Sequence, residues 1–371
     1  MLEGARRVVV KIGSSLLLRD GRLDRPWLER LADDVAERQE RGQSMVLVSS
    51  GAVGLGRGAL GSDTNQIADR QAAAAIGQVR LSEAYRAALA RRAITTAQVL
   101  LTPGDTEDRR RHLNARATIE TLLGHSIIPV INENDTVATD ELKFGDNDRL
   151  ASRVAQLVSA DLVVLLSDVD GLYTADPRIH HDAQHVPVVH AITPTIEAMA
   201  GEPGTPLGTG GMASKLEAAR IALAAGAYFA IAPGLPEGAL ASFFNGGRAT
   251  WFLPSVDSLT ARKAWIAATL TPRGRVVADS GALRAVQKGG SLLTVGVLSV
   301  GGGFRKGDPV RLVSEDGEEA GVGLVNYDEA EAALIAGHRS DRLLELLGYD
   351  GPDVLIHRDN LVVAGSRDPT G

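Results

Sequence analysis

Residues 127–151 read IIPVINENDTVATDELKFGDNDRLA, a short nonpolar run followed without a break by a long polar stretch. The nonpolar run predicts a buried strand, because continuous runs of this length are typical of parallel sheets that are covered on both faces. The polar stretch is rich in Asn, Asp and Glu. Open α/β sheets bind ligands outside the carboxyl ends of their strands, so these polar side chains are expected to converge on a cleft.

The polar stretch has two interpretations. Asn and Asp side chains together supply acceptors for an ammonium group and donors for a carboxylate, which suits a zwitterionic ligand. A solvated acidic loop would also be polar. We favour a binding pocket, because the stretch is rich in amides, contains an extended segment at 136–144 and ends in GDND.

The alternation of strands and helices extends on both sides of this segment, up to about residue 253. Nonpolar runs predict strands at VVVKI, MVLVSS, TTAQVLL, IIPVI, LVVLLSD and YFAIAPG. Amphipathic stretches between them predict helices at residues 27–42, 65–92, 109–124, 148–160 and 213–226. This alternation indicates an α/β protein whose first domain is a three-layer α/β/α structure with a mostly parallel sheet.

The pattern changes after residue 254. Short β-type runs with glycine turns follow Arg275, interrupted by one helical patch at 328–347, and they predict a small β-barrel-like domain. At 371 residues the chain is also too long for one ordinary core. We therefore predict a first domain at 1–258, a linker at 259–274 and a second domain at 275–371.

Composition excludes several classes of protein. The chain has no cysteine, which excludes disulfides, thiolate zinc sites and a cysteine nucleophile, and which favours a reducing cytoplasm. The longest apolar stretch covers 12 residues from Ile221, too few to cross a bilayer. A net charge of −7 argues against a dedicated nucleic-acid-binding protein. The sequence therefore predicts a cytoplasmic protein without a membrane segment.

Three glycine-rich turns stand where they can present backbone N–H groups to an anion: two directly follow predicted strands, and the third leads into a predicted helix. Lys11 precedes one, Ser50 and Gly51 form the second after the strand MVLV, and LGTGGMASK (207–215) forms the third. Backbone N–H groups at a helix N-terminus bind anions, and lysine is a compact charge suited to a phosphate oxygen. Structural turns would use the same residue types. LGTGGMASK also lacks the glycine that directly precedes the lysine of a standard phosphate loop.

Other motifs carry weaker signals. Ser167 and Asp168 follow the strand LVVLL. At the end of a strand they would contact a nucleotide or a metal. The alternative is that they only lead into the Asp170-Gly171 turn. The GxGxxG match at 56–61 starts several residues after its strand and lacks a ribose-binding acid, so we interpret it as a chance match. His180, His181 and His185 lie in a polar loop. No acidic residue there has the spacing of a metal-binding partner, so we predict that these histidines do not bind a metal.

The combination of signals indicates phosphoryl transfer. The sequence offers two lysines beside glycine loops and an amide-rich pocket, and it offers no candidate for a covalent nucleophile. Phosphoryl transfer depends on positioning and on neutralising the transferred oxygens more than on bond formation by the protein.

Several segments identify a known family by resemblance. The first domain carries, in order, VVVKIGSS, VSSGAVGLG, LNAR, PVINENDTVAT, FGDNDRLA, LLSDVDGLYTADPR and LGTGGMASK. These resemble the glutamate 5-kinase branch of the amino-acid kinase family. The second domain carries GRVVADSGA, GVLSVGGGFRKGDPVRL and HRDN, which resemble a PUA domain. The resemblance implies ATP-dependent phosphorylation of the γ-carboxylate of L-glutamate, the first step of proline biosynthesis.

The resemblance also implies roles for individual residues. Lys11 and Lys215 would stabilise the transferred phosphoryl group, and Asp148 would hold both lysines in place. L-Glutamate would be bound by Ser50, Asp135 and Asn147, with the backbone of Gly51 and Ala52 near its reacting carboxylate. ATP would be bound by Lys11, Ser167, Asp168, Thr209, Gly210, Gly211, Met212, Ala213, Ser214 and Lys215.

Cofactors and partners follow from the same resemblance. ATP would be the donor, and Mg²⁺ would be held mainly by ATP, without a dedicated set of protein ligands. Proline would inhibit by feedback, the product would pass to glutamyl-phosphate reductase, and the protein would be a homo-oligomer. RNA is a weaker candidate partner, because the chain from Gly274 onward has 10 Arg and Lys and 15 Asp and Glu.

Two alternatives stay open at this point. One is a kinase of another acidic metabolite, such as aspartate, N-acetylglutamate or a nucleoside monophosphate. The other is an RNA-binding regulator in which the kinase fold serves as a scaffold. The presence of Lys11, Asp148 and Lys215 argues against the regulator.

Overall fold

The computed structural model describes residues 4–19, 21–60, 66–137, 147–200, 211–235, 238–256, 260 and 272–364. The chain divides into two compact units, Met1–Ser258 and Leu259–Gly371, which are described separately. None of the helices built from the described residues combines the length and the apolar character needed to cross a bilayer.

The first unit alternates strands and helices. Its strands are β1 (Arg7–Ile12), β2 (Leu18–Arg19), β3 (Arg22–Leu23), β4 (Ser44–Ser49), β5 (Thr96–Leu101), β6 (Ile128–Glu133), β7 (Leu162–Ser167), β8 (Leu172–Tyr173), β9 (His185–Val186), β10 (Val188–Val189), β11 (Tyr228–Pro233) and β12 (Thr250–Phe252). Its helices are α1 (Ser14–Leu17), α2 (Arg25–Glu40), α3 (Ala52–Leu60), α4 (Ile67–Ala90), α5 (Pro103–Glu107), α6 (Arg109–Gly124), α7 (Asn147–Val158), α8 (Pro194–Met199), α9 (Met212–Ala224) and α10 (Ala239–Phe244).

One large sheet organises this unit. In the part of the chain that the structure describes, its strand order is β10-β12-β11-β7-β1-β4-β6-β5. The six strands from β11 to β5 pair in parallel, and β12 is antiparallel to β11. The predicted mostly parallel sheet is confirmed, and β1 lies near its centre between β4 and β7.

Alternate side chains of the sheet enter two separate cores. In β1, Val8 and Val10 pack in the core that contains residues of α2, α4 and α10. Val9 packs in the other core, with residues of α6, α7 and α9. Helices therefore cover both faces, which confirms the three-layer prediction. Because side chains alternate along a strand, Lys11 shares the face of Val9 and is directed toward α7 and α9.

The helices α3 and α4 approach each other at backbone distance. A Cβ atom at Gly56 in α3 would clash with the carbonyl oxygen of Ala73 in α4, and one at Gly77 in α4 would clash with the carbonyl oxygen of Ala52 in α3. Both positions therefore require glycine. Gly56, the first residue of the GxGxxG match, thus serves helix packing. The sequence predicted only the second of these two helices.

The second unit has its own core and a mixed sheet. Its elements are β13 (Gly274–Ala278), α11 (Ser280–Gln287), β14 (Leu292–Leu293), β15 (Val297–Gly301), β16 (Pro309–Val313), β17 (Glu319–Leu324), α12 (Glu329–Ile335), α13 (Leu343–Leu347), β18 (Val354–Ile356) and β19 (Leu361–Val363). Among the described strands, five form a sheet in the order β15-β13-β16-β17-β19, and β14 pairs with β18. The β13–β16 pair is parallel and its neighbours are antiparallel.

Two predictions for the second unit were wrong. Helix α11 lies where the sequence predicted only strands and turns; the side chain of Asp279 caps it by accepting from the N–H of Ala282 at 2.8 Å. The helical patch predicted at 328–347 is two helices, because Gly337 has a φ of +76° and a left-handed residue ends an α-helix.

Candidate active site

Polar residues meet at the carboxyl edge of the large sheet. Lys11 is the next-to-last residue of β1, while Ser49, Glu133 and Ser167 end β4, β6 and β7. These strands are parallel neighbours, so their carboxyl ends lie at one edge. This edge is where the sequence predicted a cleft.

A buried carboxylate joins two lysines from different elements. Asp148 lies in the first turn of α7, and its oxygens are 2.5 Å from Lys11 Nζ and 2.9 Å from Lys215 Nζ. The side chain of Asp148 is 0% exposed, and those of Lys11 and Lys215 are 9% and 7% exposed. A buried charge is costly unless it is paired. Two lysines that meet at one carboxylate suit an anionic ligand.

The ionisation of Asp148 depends on these two lysines. Burial raises the pKa of its carboxyl group, but the charges of Lys11 and then Lys215, with their hydrogen bonds, outweigh burial and hold the pKa below its usual value. Asp148 is therefore a carboxylate at neutral pH. A carboxylate already shared by two ammonium groups is suited to holding them in place and is a poor proton acceptor.

Asn147, the residue before Asp148, connects three elements at the edge of the sheet. Its Nδ2 lies 2.9 Å from the backbone carbonyl of Ser49, 2.9 Å from Ser50 Oγ and 3.1 Å from Asn132 Oδ1, so its two hydrogens are shared among three acceptors. Asn132 in turn donates from Nδ2 to Gln78 Oε1 at 2.8 Å. These contacts link α7, the end of β4, β6 and α4.

The end of β4 is also held from the opposite side. The Tyr85 hydroxyl in α4 donates to Ser49 Oγ at 3.0 Å, and Ser49 Oγ donates to the carbonyl of Ser50 at 3.0 Å. Burial raises the pKa of Tyr85, so its hydroxyl keeps the proton that it donates. Gly51 then adopts a φ of +105°, which glycine adopts without steric cost, and α3 begins at the next residue, the buried Ala52.

Ser167 and Asp168 lie at the end of β7. Ser167 is buried, and its hydroxyl donates to Oδ1 of the exposed Asp168 at 3.0 Å. The chain that follows is anchored by Thr250, whose hydroxyl accepts from the N–H of Leu172 at 2.7 Å and donates to the carbonyl of Val186 at 2.6 Å. Within the described ranges, no three His, Cys, Asp or Glu side chains lie close enough together to hold a metal.

The third glycine turn leads into α9. Gly211 is the N-cap of this helix, and Met212, Ala213, Ser214 and Lys215 form its first turn. Thr209 and Gly210 lie outside the described residues, as does the segment 138–146. Asp135, which follows β6, is half-buried.

Two residues of the polar network were not expected from the sequence. Gln78 and Tyr85 both lie on α4 and reach the ends of β6 and β4. The alanine-rich sequence of α4 contains no motif that marks them. Their spacing of seven positions is a weak signal, because residues seven apart share one face of a helix.

Known proteins match the chain over most of its length. Residues 6–231 match the amino acid kinase family. The chain belongs to the amino acid kinase family. Residues 274–347 match the PUA domain, so this amino acid kinase carries a second domain of known type.

Curated relatives of this amino acid kinase match it nearly from end to end. The glutamate 5-kinase of Paramagnetospirillum magneticum is 53% identical over 98% of this chain and 99% of its own length. The glutamate 5-kinase of Paracoccus denitrificans is 52% identical over 98% of both chains. That of Brucella anthropi is 50% identical over 98% of this chain and 97% of its own.

Solved structures share the fold of this amino acid kinase. A carbamate kinase from Giardia lamblia bound to AMP-PNP has a TM-score of 0.51 and 16% identity, and the match covers 68% of this chain and all (100%) of that one. A UMP kinase from Ureaplasma parvum has a TM-score of 0.50 and 13% identity, with coverage of 67% and 99%. At such low identity the likeness establishes the fold alone, and it confirms the predicted amino-acid kinase fold.

Proposed function

We propose that this amino acid kinase transfers the γ-phosphoryl group of ATP to the γ-carboxylate of L-glutamate, which forms L-glutamyl 5-phosphate in the first step of proline biosynthesis. The observation that carries the proposal is the buried Asp148 carboxylate that holds Lys11 and Lys215 at the edge of the sheet. The named relatives, about half identical over their whole length, support glutamate as the acceptor.

Lys11 and Lys215 stabilise the charge that moves during transfer. An oxygen of the γ-carboxylate attacks the γ-phosphorus, and the bond from that phosphorus to the bridging oxygen of ADP breaks. Negative charge develops on the bridging oxygen and is spread over the transferred phosphoryl oxygens. Ammonium groups held in advance by Asp148 need little reorganisation to meet that charge.

Asp148 acts through the two lysines and not as a base. A carboxylate nucleophile is already ionised at neutral pH and has no proton to lose. The pKa of Asp148 is itself held below its usual value by Lys11 and Lys215, although burial raises it. Its role is to fix the distance between the two ammonium groups.

The acceptor binds beside this charged group. Ser50, Asp135 and Asn147 bind L-glutamate, and the backbone of Gly51 and Ala52 lies near the reacting carboxylate. Ser50 is bonded directly to Asn147, the neighbour of Asp148 in sequence, which supports a pocket next to the lysines. The Asp135 carboxylate pairs with the α-ammonium group.

The nucleotide binds on the side of β7 and α9. Ser167, Asp168 and the turn 209–215 bind ATP; Thr209 and Gly210 lie outside the described residues. The exposed Asp168 offers one carboxylate oxygen, the ligand type that Mg²⁺ prefers, and the phosphates of ATP supply further oxygens. Mg²⁺ held mainly by ATP neutralises phosphate charge when it is bound.

Further partners complete the proposal. Proline inhibits by feedback, the acyl phosphate passes to glutamyl-phosphate reductase, and the chain forms a homo-oligomer in the cytoplasm. The second domain has a regulatory or structural role.

The test is product trapping across acceptors. Hydroxylamine converts an acyl phosphate to a hydroxamate, and ADP release reports any phosphoryl acceptor. We expect equal amounts of hydroxamate and ADP with L-glutamate, and little ADP with aspartate, N-acetylglutamate, carbamate or UMP. ADP release with one of these acceptors and none with glutamate would overturn the proposal.

The Asp135→Asn variant is expected to raise the KM for glutamate roughly 10- to 100-fold, the scale of one hydrogen bond to a charged group, with a smaller change in kcat. The KM for ATP should stay near the wild-type value. Because proline also carries an ammonium group, its inhibition constant should rise as well. Steady-state kinetics at varied proline concentrations measure the two KM values and the inhibition constant of proline. The Asn147→Ala variant should also raise the KM for glutamate and the inhibition constant of proline.

Asp33→Asn is the matched control, because Asp33 is paired with Arg92 at the surface. It should leave both KM values unchanged. Proline inhibition that is strictly uncompetitive with glutamate would place the proline site elsewhere.

A chain shortened to residues 1–258 is expected to keep its kinase activity. Every proposed site residue precedes Leu216, and the described members of the two cores of the first unit all lie at or before Phe252. The isolated second domain should bind structured RNA weakly, since few cations are present to release phosphate counterions. An activity assay and a salt-dependent titration measure the two results. Lost activity, or sub-micromolar RNA binding that persists at physiological salt, would contradict this view.

A further inference from the structure

Two backbone groups determine which way the pocket amides face. The carboxamide of Asn147 meets the carbonyl of Ser49, which can only accept a hydrogen bond, so the facing atom is Nδ2. The carboxamide of Asn132 meets the N–H of Glu133 at 2.8 Å, which can only donate, so the facing atom is Oδ1. These two backbone groups therefore allow only one orientation of the Asn147 amide and one of the Asn132 amide.

Gln78 completes this chain of amides. With Asn132 Oδ1 directed to Glu133 and Asn147, Asn132 Nδ2 faces Gln78 and donates to its Oε1 at 2.8 Å. Asn132 is only 2% exposed, so water cannot readily replace an acceptor that is lost. Gln78 follows Gly77, which lies in backbone contact with Ala52 of α3, so its place beside the pocket is rigid.

The orientation of Asn147 decides what its other side offers to a ligand. Its Nδ2 is committed to Ser49, Ser50 and Asn132. The atom on the opposite side of the amide is Oδ1, which accepts hydrogen bonds and cannot donate them. An acceptor stabilises an ammonium group and disfavours a carboxylate at the same place.

We propose that Gln78 is a positioning residue that makes the acceptor pocket specific for an α-ammonium group, by fixing Asn132 and through it the outward-facing oxygen of Asn147. This inference rests on the proposed function, since the ligand is taken to be L-glutamate. If Gln78 cannot accept, the buried Asn132 Nδ2 loses its acceptor, and the Asn132 side chain is no longer held against Asn147. Asn147 then keeps its hydrogen bonds to Ser49 and Ser50 but its contact with Asn132 is weakened, so its outward-facing oxygen is placed less precisely.

The experiment compares two ligands that differ in the ammonium group alone. Glutarate is glutamate without its α-amino group, and its inhibition constant against glutamate measures pocket binding without an ammonium contact. In Gln78→Met, which keeps the length but removes the acceptor, we expect the KM for glutamate to rise about tenfold, the scale of one hydrogen bond. The inhibition constant of glutarate and the KM for ATP should stay constant.

Two further variants separate positioning from general damage. Gln78→Glu keeps an oxygen at the Oε1 position and should retain the wild-type preference for glutamate over glutarate. Val79→Met changes the next residue of α4, which is 71% exposed, and should alter nothing. The measured quantity is the ratio of the inhibition constant of glutarate to the KM for glutamate. This ratio does not depend on the fraction of the enzyme that is active, so it can be measured in a variant that folds poorly.

Two outcomes would overturn the inference. One is a wild-type ratio in Gln78→Met; the other is an equal loss of affinity for both ligands, which indicates a distorted pocket. A Gln78→Glu variant with the same loss of preference for glutamate as Gln78→Met would also overturn the inference. Failure of the wild-type protein to phosphorylate glutamate would instead contradict the proposed function.

Discussion

Replacing Lys215 with alanine is expected to lower kcat about 10²- to 10³-fold, the usual effect of removing one preorganised electrostatic group, with a much smaller change in the KM for glutamate. Lys215 Nζ is held 2.9 Å from a carboxylate oxygen of Asp148, so its charge is in place before the reaction begins. Lys11→Ala should have an effect of the same order. Steady-state ADP release at saturating glutamate and ATP measures both.

Lys288→Ala is the control for loss of a lysine. Lys288 is exposed in the second unit, and its replacement should leave kcat unchanged. A Lys215→Ala variant with near-normal kcat would remove Lys215 from the proposed mechanism. A large rise in glutamate KM at constant kcat would instead place Lys215 in the acceptor pocket.

The Asp148→Asn variant is expected to lose activity to a similar degree, about 10²- to 10³-fold in kcat, because two buried ammonium groups then lose the carboxylate charge that holds them. Its pH–rate profile should gain no new acidic limb. In the wild type, Lys11 and Lys215 hold the pKa of Asp148 below the ordinary aspartate value although burial raises it. The stabilisation from these pairs is therefore fully present above pH ~4 and is lost as the pH falls through the lowered pKa.

Rate profiles of the variant and the wild type between acid and alkaline pH test this role. If raising the pH restores the activity of Asp148→Asn, the carboxylate is a base and the organising role is wrong. Asp34→Asn is the control, because Asp34 is half-buried and accepts from the N–H of Ala241 in α10. Its loss should affect the free energy of unfolding and leave kcat unchanged.

The large sheet was predictable because its main strands are continuous apolar runs. Residues of β1, β4 and β7 fill cores on both faces, so neither face of these strands needs polar residues. The short β12 was missed, since three residues without alternation carry no periodic signal. Helix α11 was missed because it begins with Ser280 and Gly281, residue types that normally indicate a turn.

The candidate site was predictable in part. Lys11, Asp148 and Lys215 were matched by resemblance, and the structure brings them together although Asp148 and Lys215 are 67 positions apart. The bond from Asn132 to Gln78 spans 54 positions. A single sequence does not show which polar residue of a long helix will meet the end of a strand, because that depends on how the helix packs.

The backbone contact between α3 and α4 limits how the substrate range of this kinase can be changed by protein engineering. Gly56 and Gly77 leave no room for a methyl group, and the contact at Gly77 involves Ala52, at the start of α3 beside the proposed acceptor site. Any larger residue at either glycine would push the helices apart and move Gln78 together with the pocket wall. A library designed for longer dicarboxylic acceptors should therefore keep both glycines and vary the residues around Asp135.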